Sequence, residues 1–422
     1  MAENKMVPQL RFRGFSDEWK QRKLTDSFDF LKNNTLSRAE LDNERGIAKN
    51  LHYGDVLIKF GEYLDISQAQ LPFIISQQVV DKFKGSLLQE GDVIMADTAE
   101  DETVGKCSEI AELRQFPIVS GLHTIPMRPK EKFAAGYLGY YMNSTAYHDQ
   151  LLPLMQGIKV TSVSKAAIQN TDIAFPSDTV EQAAIGQYFI QLDNLITLHQ
   201  QKHDKLLALK KSMLEKMFPK AGSTVPEVRF AGFTAPWERR KLSEILERRQ
   251  VYQRISADAP RLAFAAGQGV IPLSERKTNN RDQLIADEAS KRYLLTEYND
   301  LVYNPANLKY GAIGRNKYGK GVISPIYVTF TTTEEASFVE RIIITERFKN
   351  MALQFEEGTV VKRQSVSSDS LLSFEEWISP YRKEQVLIGK MFDKIDSLIT
   401  LHQRKYEKLK QLKQSLLQKM FV

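Results

Sequence analysis

Three short segments come close to nucleotide or cofactor sites and stop short of them. Gly314-Arg315-Asn316-Lys317-Tyr318-Gly319-Lys320-Gly321 nearly has the spacing of a P-loop, whose backbone N–H groups cradle phosphates while a Ser or Thr hydroxyl holds magnesium. Gly321 stands where that hydroxyl is needed. Asn304-Pro305-Ala306-Asn307 begins like the Asn-Pro-Pro-aromatic motif of amino-group methyltransferases, without the second proline or the ring that stacks on a flipped base. Phe264 to Gly269 misses a cofactor-binding glycine pattern by one residue. His199 and His203 have the i, i+4 spacing of helical zinc sites, but no Glu follows the first and no Cys or third His lies nearby. No Gly-x-Ser-x-Gly elbow and no convincing metal-dependent nuclease constellation is present. The sequence therefore predicts a chain that is not itself an enzyme and binds no cofactor or metal of its own.

Residues suited to a polyanion are easier to find. Lys309, Tyr310, Arg315, Lys317, Tyr318 and Lys320 gather in a glycine-rich stretch that can approach a phosphate backbone while its side chains reach base edges. A solvated basic turn between strands is the competing reading. Lys159, Lys165, Lys362 and Arg363 follow two glycines, Gly157 and Gly358, and are candidates for phosphate clamps; Lys59 and Tyr63 are weaker ones. Plain surface charge accounts for these equally well. Asp97 to Thr103 is acidic and repels phosphate, though a carboxylate there can accept from a cytosine amino group. Lys and Arg exceed Asp and Glu by 58 − 52 = 6, with pI near 9.0. That mild excess permits nucleic-acid binding without requiring it.

What must position these residues is a duplicated framework. Glu181 to Phe218 recurs at Glu384 to Phe421, without a gap and with roughly 22 of 38 positions identical. A lead-in segment, Pro8 to Leu24, returns as Pro226 to Leu242, sharing the Arg-Phe, Gly-Phe, Trp and Arg-Lys-Leu positions. Between these lie two bodies that have diverged. Their fragments keep the same order: Gly91-Asp92-Val93-Ile94 matches Asn299-Asp300-Leu301-Val302, and Val104-Gly105-Lys106 matches Ile313-Gly314-Arg315. Four segments follow: residues 1–178, lead-in and first body; 179–221, a central helix; 222–382, second lead-in and body; 383–422, a C-terminal helix.

Both repeated segments carry apolar residues at steps of three and four, the seam of a coiled coil. In the first the seam is Ile185, Phe189, Leu192, Ile196, His199, His203, Leu206, Leu209, Met213 and Met217. In the second it is Ile388, Phe392, Ile395, Ile399, His402, Tyr406, Leu409, Leu412, Leu416 and Met420. His199 and His402 share one seam step, where a polar group fixes register at a cost in stability. A helix of about 38 residues is roughly 57 Å long at 1.5 Å per residue and needs a partner; the natural partner is the other copy. Tandem units related by a pseudo-two-fold axis favour antiparallel pairing.

At 422 residues the chain is long enough for two domains with their own cores. The single cysteine, Cys107, cannot close an intramolecular disulfide. The start MAENKMVPQLRFRGF has no apolar signal core, and no run of about 18 uncharged apolar residues occurs, so the sequence predicts a soluble cytoplasmic protein without a membrane partner.

Taken together, the two Glu-Gln-x-x-Ile-Gly to Lys-Met-Phe arms, the paired Arg-Phe-x-Gly-Phe lead-ins and the divergent bodies make the chain resemble a specificity subunit of a type I restriction-modification system over nearly its whole length. The resemblance implies an α+β protein with two α/β target recognition domains in tandem pseudo-repeat, joined by two long antiparallel coiled-coil helices. It implies a non-catalytic subunit that reads one half of a split site in double-stranded DNA with each body, the arms setting the gap. It also implies two modification subunits that bind S-adenosylmethionine and methylate adenine, and two restriction subunits that use ATP and magnesium. No family motif assigns the base-contacting residues. A coiled-coil adaptor whose bodies bind proteins and lack DNA specificity is the alternative from another class.

Overall fold

The computed structural model describes residues 6–220, 222–276, 291–357 and 365–422. The chain divides into two compact units, residues 1–200 with 403–422, and residues 201–402. Both divisions fall inside long helices, a central arm Thr179–Lys216 and a C-terminal arm Arg382–Lys419. Each unit therefore owns one body and part of each arm.

In the first unit a five-stranded sheet runs Phe28–Phe30, Thr124–Pro129, Val93–Ala96, Cys107–Ala111, Tyr63–Asp65. Val93–Ala96 and Cys107–Ala111 are buried along their whole length, as expected of strands covered on both faces. The helix Tyr137–Met142, also wholly buried, packs on this sheet. Its tyrosines join Trp19, Phe28, Met95 and Phe175 in a core that takes in Ile185, Phe189 and Leu192 of the central arm and Leu416, Met420 and Phe421 from the C-terminal end. The Phe189 and Phe421 rings stack at 5.7 Å and Lys413 Nζ lies 2.7 Å from Asp193 Oδ1. Numbers that rise along one arm fall along the other, so the arms run antiparallel here.

The second unit repeats the plan with different residues. Its sheet runs Leu246–Arg249, Val328–Thr332, Leu301–Tyr303, Ile313–Arg315, covered by the helix Ala336–Ile343. Trp237, Phe338 and Phe348 pack with Ile388, Phe392 and Ile395 of the C-terminal arm and Met217 of the central one. Phe218 meets Phe392 at 6.5 Å, and Lys210 Nζ lies 2.6 Å from Asp396 Oδ1, again an antiparallel pairing.

Matched contacts tie each lead-in to its arm. Arg11 forks onto Glu181 with Nε–Oε1 at 2.6 Å, and Arg229 does the same to Glu384 at 2.6 Å. Leu10 N donates to Lys419 O at 2.9 Å and Val228 N to Lys216 O at 3.0 Å, each satisfying a carbonyl at the end of an arm. The bodies keep one turn as well. Gly91 and Asn299 both have positive φ, +86° and +75°, a conformation those two residue types tolerate. The following aspartates then cap it, Asp92 accepting from Gln89 N and Asp300 from Glu297 N.

Two sequence expectations change. Strand pairing sets Val93 opposite Glu109 and Leu301 opposite Arg315, so Ile313-Gly314-Arg315 corresponds to Cys107-Ser108-Glu109, not to Val104-Gly105-Lys106. The link between paired strands is longer in the first unit, and the shared Gly and basic residue only mimicked an alignment. In the arms, Leu209 and Leu412 point outward at 42% and 43% exposure. Lys210 and Lys413 turn inward in their stead, drawn to Asp396 and to Asp193. Ile196, His199, Leu206, Met213, Ile399, His402 and Leu409 are half-buried.

Candidate nucleic-acid interface

The glycine-rich stretch of the second unit is split by depth. Arg315 ends a buried strand, with its side chain 3% exposed. Its Nε reaches Glu340 Oε2 at 3.1 Å, and its Nη2 reaches both Asp393 oxygens at 2.7 and 2.6 Å. Arg341 Nη1 joins Asp396 at 2.7 Å, and Lys317 Nζ lies 3.1 Å from Glu340. Burial opposes the charge on Arg315, yet Glu340 and Asp393 raise its pKa above the ordinary value. Burial likewise pushes Asp396 up, but Arg341 and Lys210 hold its carboxyl below the usual range. Arg315 is thus a buried structural cation, and Lys317, though exposed, is paired with Glu340. Lys309 lies 3.6 Å from Glu356 and beneath Tyr310. Also outward are Tyr310, Tyr318 and Lys320, around a turn in which Asn316 Oδ1 accepts from the N–H of Tyr318 and Gly319.

In the first unit Lys59 is bound to Asp55 at 2.8 Å on its own helical turn. Tyr63 lies half-buried in the strand Tyr63–Asp65, packed on the core. The stretch 53–65 is helix Tyr53–Ile58 followed by that strand, so these two have structural duties. Lys159 is exposed. Lys165 is exposed too, its Nζ 4.9 Å above the Phe30 ring, and it lines a groove of about 380 Å³ with Lys32, Phe83, Asp97 and Pro126. Lys362 and Arg363 lie outside the described residues.

Lys32 and Asp97 escaped the sequence reading as partners of Lys165. Each sits in a separate loop, and nothing local signals that Leu31–Asn33, Asp97 and Ser164-Lys165 converge. Among the described residues no group of three or more His, Cys, Asp or Glu is placed to hold a metal ion. No described helix is long and apolar enough to cross a membrane.

Residues 16–208, which contain the first body and most of the central arm, match the model of the type I restriction modification DNA specificity domain. Residues 16–208 belong to that family. The anchors that surround the matched region recur around the second body. A crystal structure of the S subunit of a type I restriction-modification system from M. genitalium shares the fold at TM-score 0.61 and 12% identity, covering 99% of each chain. The HsdS subunit from Thermoanaerobacter tengcongensis aligns at TM-score 0.42 and 14% identity over 96% of each chain. No curated protein matches. The expected α+β architecture of two tandem bodies with long coiled-coil helices is borne out.

Proposed function

We propose that the chain is the non-catalytic reader of a split site in double-stranded DNA, one half taken by each body, within a type I restriction-modification complex. The observation that carries this is the contrast between constant anchors and divergent bodies. Arg11–Glu181 and Arg229–Glu384, Lys413–Asp193 and Lys210–Asp396 are the same contacts made twice, while the surfaces they present differ. A protein that holds two readers of different sequence needs that arrangement.

Exposed apolar residues also come in matched pairs. Val7 and Val225 on the lead-ins, and Leu198 with Leu401 and Leu209 with Leu412 on the arms, all remain at 38% exposure or more. Repeated patches of this kind suit two copies of one partner, which supports docking of two modification subunits. In this reading those subunits bind S-adenosylmethionine and methylate adenine on both strands. Two restriction subunits bring ATP and magnesium, and the arms fix the unspecified gap.

The test is sequencing of N6-methyladenine in DNA from cells that express the chain with its modification subunit, against cells lacking only the chain. A split, asymmetric motif methylated on both strands and lost in the control is expected. Identical methylation in the two, with the complex shown to assemble, would overturn the proposal.

A further inference from the structure

We infer that the groove of the first unit lined by Lys32, Asp97 and Lys165 reads a base of that unit's half-site. Asp97 accepts a hydrogen bond from an exocyclic amino group, and the two lysines hold the flanking phosphates. The inference rests on the DNA-reading function proposed above and names where in the first body it is exercised.

The groove has the shape and chemistry for one strand of a duplex edge. Its volume is about 380 Å³, and Phe83 and Pro126 line it beside the charged groups. Lys32 and Lys165 stand exposed on its walls. Lys165 is steadied over Phe30, and among the described residues neither lysine forms a salt bridge. Uncompensated cations on an open concavity suit phosphate, in contrast to Arg315 and Lys317, which are consumed by carboxylates.

Asp97 is the exception to that cationic lining, and its orientation is fixed. Its Oδ1 accepts from Thr98 Oγ1 at 2.7 Å and lies 3.2 Å from His123 Nδ1. Its backbone is held too, with Asp97 N donating to His123 O and Val163 N donating to Asp97 O. A carboxylate locked at one oxygen presents the other in a fixed direction. An acceptor in that position discriminates bases by their amino donors, cytosine N4 or adenine N6. It repels phosphate, so the backbone is steered to the lysines at either side.

The experiment is selection from a randomised duplex library by the full chain assembled with its modification subunits, repeated for Asp97→Asn and for Lys32→Ala with Lys165→Ala. Asp97→Asn keeps an oxygen for Thr98 and His123, and the two lysines are exposed, so none of these changes removes a core contact. For Asp97→Asn, preference at one base of one half-site should fall about tenfold, the other half-site unchanged. The double lysine variant should bind all sequences more weakly, with the slope of log affinity against log salt lowered by about 2. A parent that selects a split motif while Asp97→Asn selects the same one, or alters both halves, overturns the groove reading alone. A parent that selects no motif overturns the proposed function and the groove with it.

Discussion

Glu109 and Arg315 occupy the same place in the two units, opposite Val93 in one sheet and Leu301 in the other, and carry opposite charge. Glu109 is buried and accepts from the backbone N–H groups of Gly136 and Gly139, at the start of helix Tyr137–Met142. Burial pushes its carboxyl up to about 7, against the pull of those donors. Arg315 meets the equivalent helix through Glu340 and continues to Asp393 on the C-terminal arm. One step along those helices, Tyr140 donates its hydroxyl to Asp193, and Arg341 donates to Asp396. The arms thus offer the same aspartate twice, and each body reaches it with its own donor. What stays constant is the place of attachment; what varies is the chemistry with which a body fills it. That is how a body can change its exposed surface without losing its seat on a shared framework.

The comparison breaks most sharply at Arg315. Arg315→Met removes the guanidinium that bridges Glu340 to Asp393, leaving Lys317 and Arg341 beside Glu340, and should destabilise the second unit by about 1–3 kcal/mol while leaving the first unchanged. Hydrogen exchange resolved by peptide in the full chain reads the two units separately. Equal loss of protection in both would mean that they do not behave as distinct units.

Acidity sharpens it next. Glu109 has a folded pKa of about 7 against an ordinary 4.5, so its contribution is fully present below about pH 4.5 and is lost as pH rises through 7. The difference amounts to about 3 kcal/mol, confined to the first unit. Asp396 has the reverse sign: held below the ordinary carboxyl value, it stabilises the second unit at neutral pH and the gain is lost as pH falls through its folded pKa. Glu109→Gln should flatten the pH dependence of the first unit between 4.5 and 7, as followed by exchange or by unfolding at several pH values. An unaltered slope would place the titration elsewhere.

Close packing of the bodies on the arms gives a third, smaller contrast. A Cβ on Gly186 would press into the Ala135 carbonyl and sit 3.1 Å from Tyr137 N, all backbone. One on Gly389 would meet the Ser337 hydroxyl, which can turn, and Ser337 Cβ at 2.8 Å, which cannot, while its nearest backbone atom, Phe338 N, lies 3.2 Å away. Gly186→Ala should therefore cost about 1–3 kcal/mol in thermal unfolding, and Gly389→Ala less. Smallest is the separation of two neighbouring lysines. Lys320→Ala should lower the salt slope of DNA binding by about 1, and Lys317→Ala should leave it unchanged, because Lys317 is already paired with Glu340. Equal slopes for the two variants would remove the distinction.

The framework was open to reading because it is written twice. Repetition reveals helices and lead-ins without any knowledge of packing, and the seam residues Phe189 and Phe392 follow from their spacing. Depth was not legible. Arg315 looked like a free cation in a glycine-rich loop because its partners lie 25 and 78 residues away, on a helix and an arm that only the fold brings to it. The inward turn of Lys210 and Lys413 was hidden for the same reason: a leucine beside a lysine reads as seam until a half-buried aspartate on the other arm claims the lysine. The groove at Lys165 needed three separate loops to meet.

The most direct test of the account is an exchange of residues 25–178 for the corresponding body of another type I specificity subunit, followed by sequencing of the methylated site. A new sequence in one half-site, with the other half and the gap retained, is the predicted result. A change in both halves would contradict the claim that each body reads for itself.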